Sequence, residues 1–167
     1  GSIRCKARKL GLERTSCYYE PTFPHLADIE KAYIAGLFDG EGCIHISLNK
    51  LSSRAKHRYH KLEIIIANTN KEILHYLFST FGGRITQNSI RKNQQTCFSW
   101  RMSTKEACAF LKIIYPYLKI KKQQADIAIH FQSEIQYTGK VISTDIYNKR
   151  ELSRNLLIKL KGKHLRL

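Results

Sequence analysis

Acidic residues are scarce in this chain of 167: 13 Asp and Glu stand against 29 Lys and Arg, a formal net charge of +16. That imbalance excludes a neutral surface and points to a polyanionic partner. Long apolar runs are missing as well. Nothing approaches the roughly 20 residues that cross a bilayer, and no signal-peptide succession opens the chain, so a soluble, intracellular protein is expected. The cysteines Cys5, Cys17, Cys43, Cys97 and Cys108 are odd in number and contain no CxxC pair, which argues against a zinc site and a disulfide framework. His45, His57 and His60 have no matching cysteines and read as facing solvent or nucleic acid. There is no GxxxxGK and no GxGxxG, and an EF-hand beginning at Asp39 fails because Ile44 and Lys50 stand where Gly and Glu are needed.

Apolar residues make up 43%, enough for a packed core and too many for disorder. The length fits one domain. Positive charge is unevenly spread. Lys50 to Lys105 holds eleven basic residues against Glu63 and Glu72 alone, and Lys112 to the end holds twelve against four. So one-sided a central stretch reads as a phosphate-facing surface.

Residues 1–25 show no sustained period and form an expected N-terminal arm, ahead of a single domain over 26–167. A helix is predicted from Asp28, as N-cap, to about Asp39, ended by Gly40 and Gly42. Residues 43–50 alternate as a half-buried strand, with Ile44, Ile46 and Leu48 inward. A second strand spans about 58–68, with Leu62, Ile64 and Ile66 on its inner face. A helix opened at Asn70 is stopped by Gly82-Gly83, strands at 84–90 and 96–103 form a hairpin, and Ser103 or Thr104 caps a helix that Pro116 ends. Phe98, Trp100 and Met102 read as core, with Trp100 on a nucleic-acid face as the alternative. The order is αββαββα over a core of 28–118, an antiparallel α+β sheet with helices on one face. Further helices follow over 119–160, one of them from Thr144 to about Leu160.

The most informative run is Tyr33 to Gly42, YIAGLFDGEG. Ala32, Gly36 and Gly40 recur every four residues, leaving a strip almost without side chains where a second helix could approach closely. Glycine costs a helix about 1 kcal/mol against alanine, so the strip needs a reason. Asp39 and Glu41 sit at the helix C-terminus, where the dipole disfavours carboxylates and a bound cation would reverse the sign.

Ile34 to Gly42, IAGLFDGEG, closely resembles the LAGLIDADG motif of homing endonucleases, and YPYLKIKKQQA is similar to the basic stretch those enzymes carry after their third core helix. The resemblance covers about residues 28–130. One motif copy implies the single-motif, homodimeric type, with Ala32, Ala35, Gly36, Phe38 and Gly40 at the twofold interface. It implies Glu41 as catalytic acid, the Gly40 carbonyl as a second metal ligand, and Asp39 as a structural acid. Lys121 matches the basic residue near the scissile phosphate, with Lys119 and Lys122 as rivals. Asn68 matches a water-ordering position, and Gln124 is a weaker candidate for the same pocket. The expected cofactor is Mg²⁺, with Ca²⁺ supporting binding without cleavage and Mn²⁺ as another active ion.

The implied activity is a paired cut across the minor groove of a long, near-palindromic DNA site, leaving short 3′ overhangs. Alternation then assigns the DNA face: His45, Ser47, Asn49, Tyr59, Lys61, Glu63 and Ile65, with Arg54, Lys56 and Arg58 near phosphates. The second hairpin adds Arg84, Thr86, Asn88, Arg91, Lys92, Ser99 and Arg101. An intron in an organelle or a microbe is the expected source. A non-cleaving intron maturase, or another RNA- or DNA-binding protein of the same fold, is the alternative. A ribosomal or architectural binder would explain the charge but not the strip.

Overall fold

The computed structural model describes residues 20–50, 58–88, 95–135 and 143–164. Five helices and four strands follow in the order α1 (Asp28–Glu41), β1 (Gly42–Lys50), β2 (Arg58–Asn68), α2 (Lys71–Phe81), β3 (Arg84–Gln87), β4 (Phe98–Ser103), α3 (Thr104–Ile114), α4 (Lys122–Ser133) and α5 (Thr144–His164). The strands make one antiparallel sheet in the order β1-β2-β4-β3, which joins the two hairpins at its centre. The expected α+β arrangement holds, and no helix among the described residues is long and apolar enough to cross a membrane.

Helix α1 differs from expectation at both ends. Asp28 is its first helical residue and Ala27 the N-cap, because the Glu30 carboxylate reaches back to accept the Ala27 N–H at 2.9 Å. Asp28 instead pairs with Lys31 at 3.0 Å. The helix runs on to Glu41 because the Gly42 N–H still bonds the Phe38 carbonyl. Only glycine fits at 42: a Cβ there would lie 2.4 Å from the Phe38 oxygen. Asn70 caps α2 as expected, its side chain accepting the N–H groups of Glu72 and Ile73.

The core lies between the sheet and α1, α2 and α3. Phe38, Phe81, Trp100 and Phe110 form a connected set of aromatic contacts with centroids 5.0–6.3 Å apart. Trp100 is fully buried and its indole N–H donates to the Gly82 carbonyl, so it does not face nucleic acid. Phe23, from the segment read as arm, packs edge-on to Phe81 at 5.2 Å.

Strand β3 stops at Gln87 and β4 starts at Phe98, both shorter than the alternation implied. Leu48 is only half-buried, since it sits near the end of an edge strand. Helix α4 begins at Lys122 rather than at 119, because residues 119–121 are held in another conformation by Asp39. Helix α5 extends past 160 and packs on β1 and α4.

Candidate nucleic-acid interface and cleavage site

Direct pairing shows which side chains share the open face of the sheet. His45 stands opposite Glu63, Ser47 opposite Lys61 and Asn49 opposite Tyr59. One row crosses all four strands: Cys43, Ile65, Arg101 and Arg84. The expected parity of β4 is therefore right. Arg84 and Arg101 are exposed and directly opposed, an unfavourable like-charge pair unless an anion lies over it. Arg58 is exposed at the start of β2 and Thr86 is half-buried. Arg54, Lys56, Arg91 and Lys92 lie outside the described residues.

Glu63 orders part of this face. It accepts from Lys61 at 3.0 Å and pairs with His45 Nε2 at 3.1 Å. Partial burial pushes its carboxyl upward, but the hydrogen bonds from Lys61 and Ser47 and the nearby positive charge prevail and hold its pKa below the usual range.

Two assignments to the DNA-facing side fail. Ser99 points to the open side but is only 2% exposed, closed in between β2 and β3, and its hydroxyl donates to Asn88 Oδ1 at 2.9 Å. Asn88 is thereby partly committed to the hairpin. His60 faces neither solvent nor nucleic acid: it is buried on the helix side, with Nε2 at 2.7 Å from Glu151 of α5.

The end of α1 carries the acids. Asp39 is buried, and its carboxylate accepts three backbone N–H groups, from Lys119 at 2.7 Å, Ile120 at 3.1 Å and Lys121 at 2.9 Å. The Lys121 ammonium hydrogen-bonds the Asp39 carbonyl, one of the helix-end acceptors without an intrahelical donor. The Asp39 carboxylate is thus taken up by hydrogen bonds within the chain, and Lys121 sits in a different setting from Lys119 and Lys122. Lys119 is exposed, and Lys122 lies over the Tyr115 ring at 5.2 Å. Burial lowers the Lys121 pKa, against the pull of Asp39, Cys43 and Glu41.

Glu41 is exposed in the last turn of α1, within electrostatic reach of Lys121. A carboxylate and a neighbouring backbone carbonyl are hard oxygen donors, the kind that suits Mg²⁺ or Ca²⁺. They are an incomplete set. Among the described residues no group of three or more His, Cys, Asp or Glu side chains could hold a metal ion.

β2 runs two residues past the Gly42–Ile66 pair to Asn68, whose Oδ1 accepts the Asn70 N–H at 2.8 Å. Gln124 is buried in the first turn of α4, three residues after Lys121.

The small-residue strip is partly as expected. Ala32, Gly36 and Gly40 are exposed, flanked by Ile29 at 79% and Tyr33 at 58% exposure, and a Cβ at Gly36 or Gly40 would meet nothing within 4 Å. Ala35 and Phe38 do not belong to it. Both are fully buried in this chain's own core, on the opposite side of α1.

Residues 34–132 match the family profile described as LAGLIDADG endonuclease. No curated protein matches the chain in sequence. Among solved structures, the archaeal intron-encoded homing endonuclease I-Vdi141I, complexed with DNA, is 17% identical with a TM-score of 0.66, over 80% of this chain and 84% of that one. I-CvuI, complexed with the I-CreI target in Mg without cleavage, is 17% identical with a TM-score of 0.65, over 79% and 82%. I-LtrWI, bound to target DNA, is 16% identical with a TM-score of 0.60, over 93% of this chain but only 51% of that one.

Proposed function

The chain belongs to the LAGLIDADG endonuclease family, and on that premise we propose that it is a site-specific, metal-dependent DNA endonuclease working as a homodimer. The observation that carries this reading is the exposed Glu41 beside Lys121, at the edge of an open sheet face carrying Arg84, Arg101 and Lys61. A protein that only bound DNA would gain nothing from an exposed carboxylate beside phosphates.

What one chain offers supports the dimer reading. Glu41 and Gly40 give too few ligands, the exposed strip of α1 is shaped for close helix approach, and this chain spans about half of I-LtrWI. Packing two α1 helices about a twofold axis would bring two Glu41 carboxylates together and align two sheets along one duplex. Divalent ions such as Mg²⁺, held by Glu41 and the Gly40 carbonyl, would supply positive charge to the phosphoryl group and a water activated for attack. Lys121 would offset charge growing on the phosphate oxygens. Asn68 would orient the water through its Nδ2 group, since its oxygen is committed to Asn70. The open face reads base edges through His45, Ser47, Asn49, Tyr59 and Lys61, and Arg84 and Arg101 hold phosphates. Short 3′ overhangs, a near-palindromic site and encoding by an organellar or microbial intron complete the reading.

Selection of cleaved sites from a randomised duplex library in Mg²⁺, with sedimentation to give the mass in solution, tests it. Discrete double-strand cuts by a dimer are expected. Folded protein that binds nucleic acid without cutting would make the chain a non-cleaving relative, such as a maturase.

A further inference from the structure

Helix α5 lies outside the segment matched by the family profile, yet its last turn reaches the cleavage end of β1. Lys161 Nζ stands 3.2 Å from Cys43 Sγ, two residues beyond Glu41. Cys43 opens the row that continues through Ile65 and Arg101 to Arg84, so Lys161 comes round the edge of β1 at the level of the open face. A groove of about 260 Å³ runs between β1 and α5, with His45, Ser47, Arg154 and Lys161 among its lining residues.

Two ammonium groups therefore approach the end of α1, Lys121 from the turn before α4 and Lys161 from α5. Burial is what lowers the Lys121 pKa; Lys161 adds the smallest push in that direction, and Asp39, Cys43 and Glu41 pull the other way. Like charges so placed in a partly buried setting oppose folding. The anchoring of α5 does not need this placement, since Leu157 is buried and Glu151 bonds His60. Asp39 is already engaged, its carboxylate by three backbone N–H groups and its carbonyl by the Lys121 ammonium. Cys43 offsets part of this repulsion, its thiol pKa brought down to about 7 by hydrogen bonds with His45 and Lys161, and a phosphate held between the two lysines would offset the rest.

We propose that Lys161 is a second phosphate-binding cation of the cleavage site, which grips, together with Lys121, the phosphate that Glu41 addresses. The assignment rests on the endonuclease reading. An ammonium on each side of the phosphate is worth more as charge builds on its oxygens than in the ground state, so Lys161 acts on rate more than on affinity.

Single-turnover cleavage of the selected site in Mg²⁺, with DNA affinity measured in Ca²⁺, separates the outcomes. Lys161→Met is expected to slow cleavage on the order of ten- to a hundredfold with little change in affinity or melting temperature, and Lys161→Arg to recover most of the rate. Wild type that cuts no site overturns the endonuclease reading itself. Wild type that cuts, with Lys161→Met cutting equally fast, overturns only the role of Lys161. If Lys161→Met fails to fold, acetylation of the wild type read by mass spectrometry decides: target DNA should protect Lys161, and unchanged labelling would overturn the assignment.

Discussion

Asp39 holds Lys121 at both ends: its Oδ1 accepts the Lys121 backbone N–H at 2.9 Å, and its own carbonyl accepts the Lys121 ammonium. With Lys119 and Ile120 donating to Oδ2, the end of α1 and the start of α4 form one unit, and Glu41 and Lys121 keep their spacing. Asp39→Asn keeps one acceptor and turns an amide donor toward backbone N–H groups. The cost of stranding a buried donor is about 1–3 kcal/mol, readable in urea unfolding. Cleavage should fall more than DNA affinity, because what is lost is the placement of Lys121.

A substitution at Gly36 tests the proposed dimer separately from folding. A Cβ there would meet nothing within 4 Å among the described residues, and replacing glycine in a helix gains up to about 1 kcal/mol. Gly36→Leu should therefore fold at least as well as wild type while sedimenting as a monomer that does not cut. A Gly36→Leu dimer would place the interface elsewhere.

Arg84 and Arg101 oppose each other across β3 and β4. Removing one relieves repulsion in the free protein and removes a phosphate contact in the complex. Arg101→Ala should leave the melting temperature equal or higher, weaken DNA binding, and reduce the slope of log K against log salt by about 1 per subunit.

The attachment of α5 should be acid-labile. The hydrogen bond from His60, opposed by partial burial and helped by Arg154, holds the Glu151 pKa below the ordinary carboxyl value. A depressed carboxyl stabilises the fold above its unfolded pKa of about 4.3, and that contribution disappears as pH falls through the folded value. Amide exchange in α5 should rise over that range. Glu151→Gln should raise it already at neutral pH and flatten the acid limb.

Local pattern made most of this molecule legible. Period-two alternation assigned both faces of β1 and β2, Asn70 and Gly82 marked the ends of α2, and the run from Ile34 to Gly42 pointed to the candidate site. What stayed hidden depends on partners distant in sequence. His60 alternates in step with Leu62, Ile64 and Ile66, but nothing near it in sequence names its partner Glu151, 91 residues away. Ala35 and Phe38 sit inside the motif but on the other side of α1 from Gly36, a distinction that helical angle alone could have drawn. Ser99 alternates correctly yet is covered by both neighbouring strands, and Lys161 lies in a polar helix of no obvious register, so only tertiary packing brings it to Cys43.

Glu41 carries the central claim, and its carboxylate can be neutralised almost without change of shape. Cleavage of the selected site in Mg²⁺ by wild type and by Glu41→Gln, with binding of both followed in Ca²⁺, is the most direct test. The account predicts that Glu41→Gln binds the site as a dimer and leaves both strands intact. A Glu41→Gln protein that still cuts at the wild-type rate would contradict it.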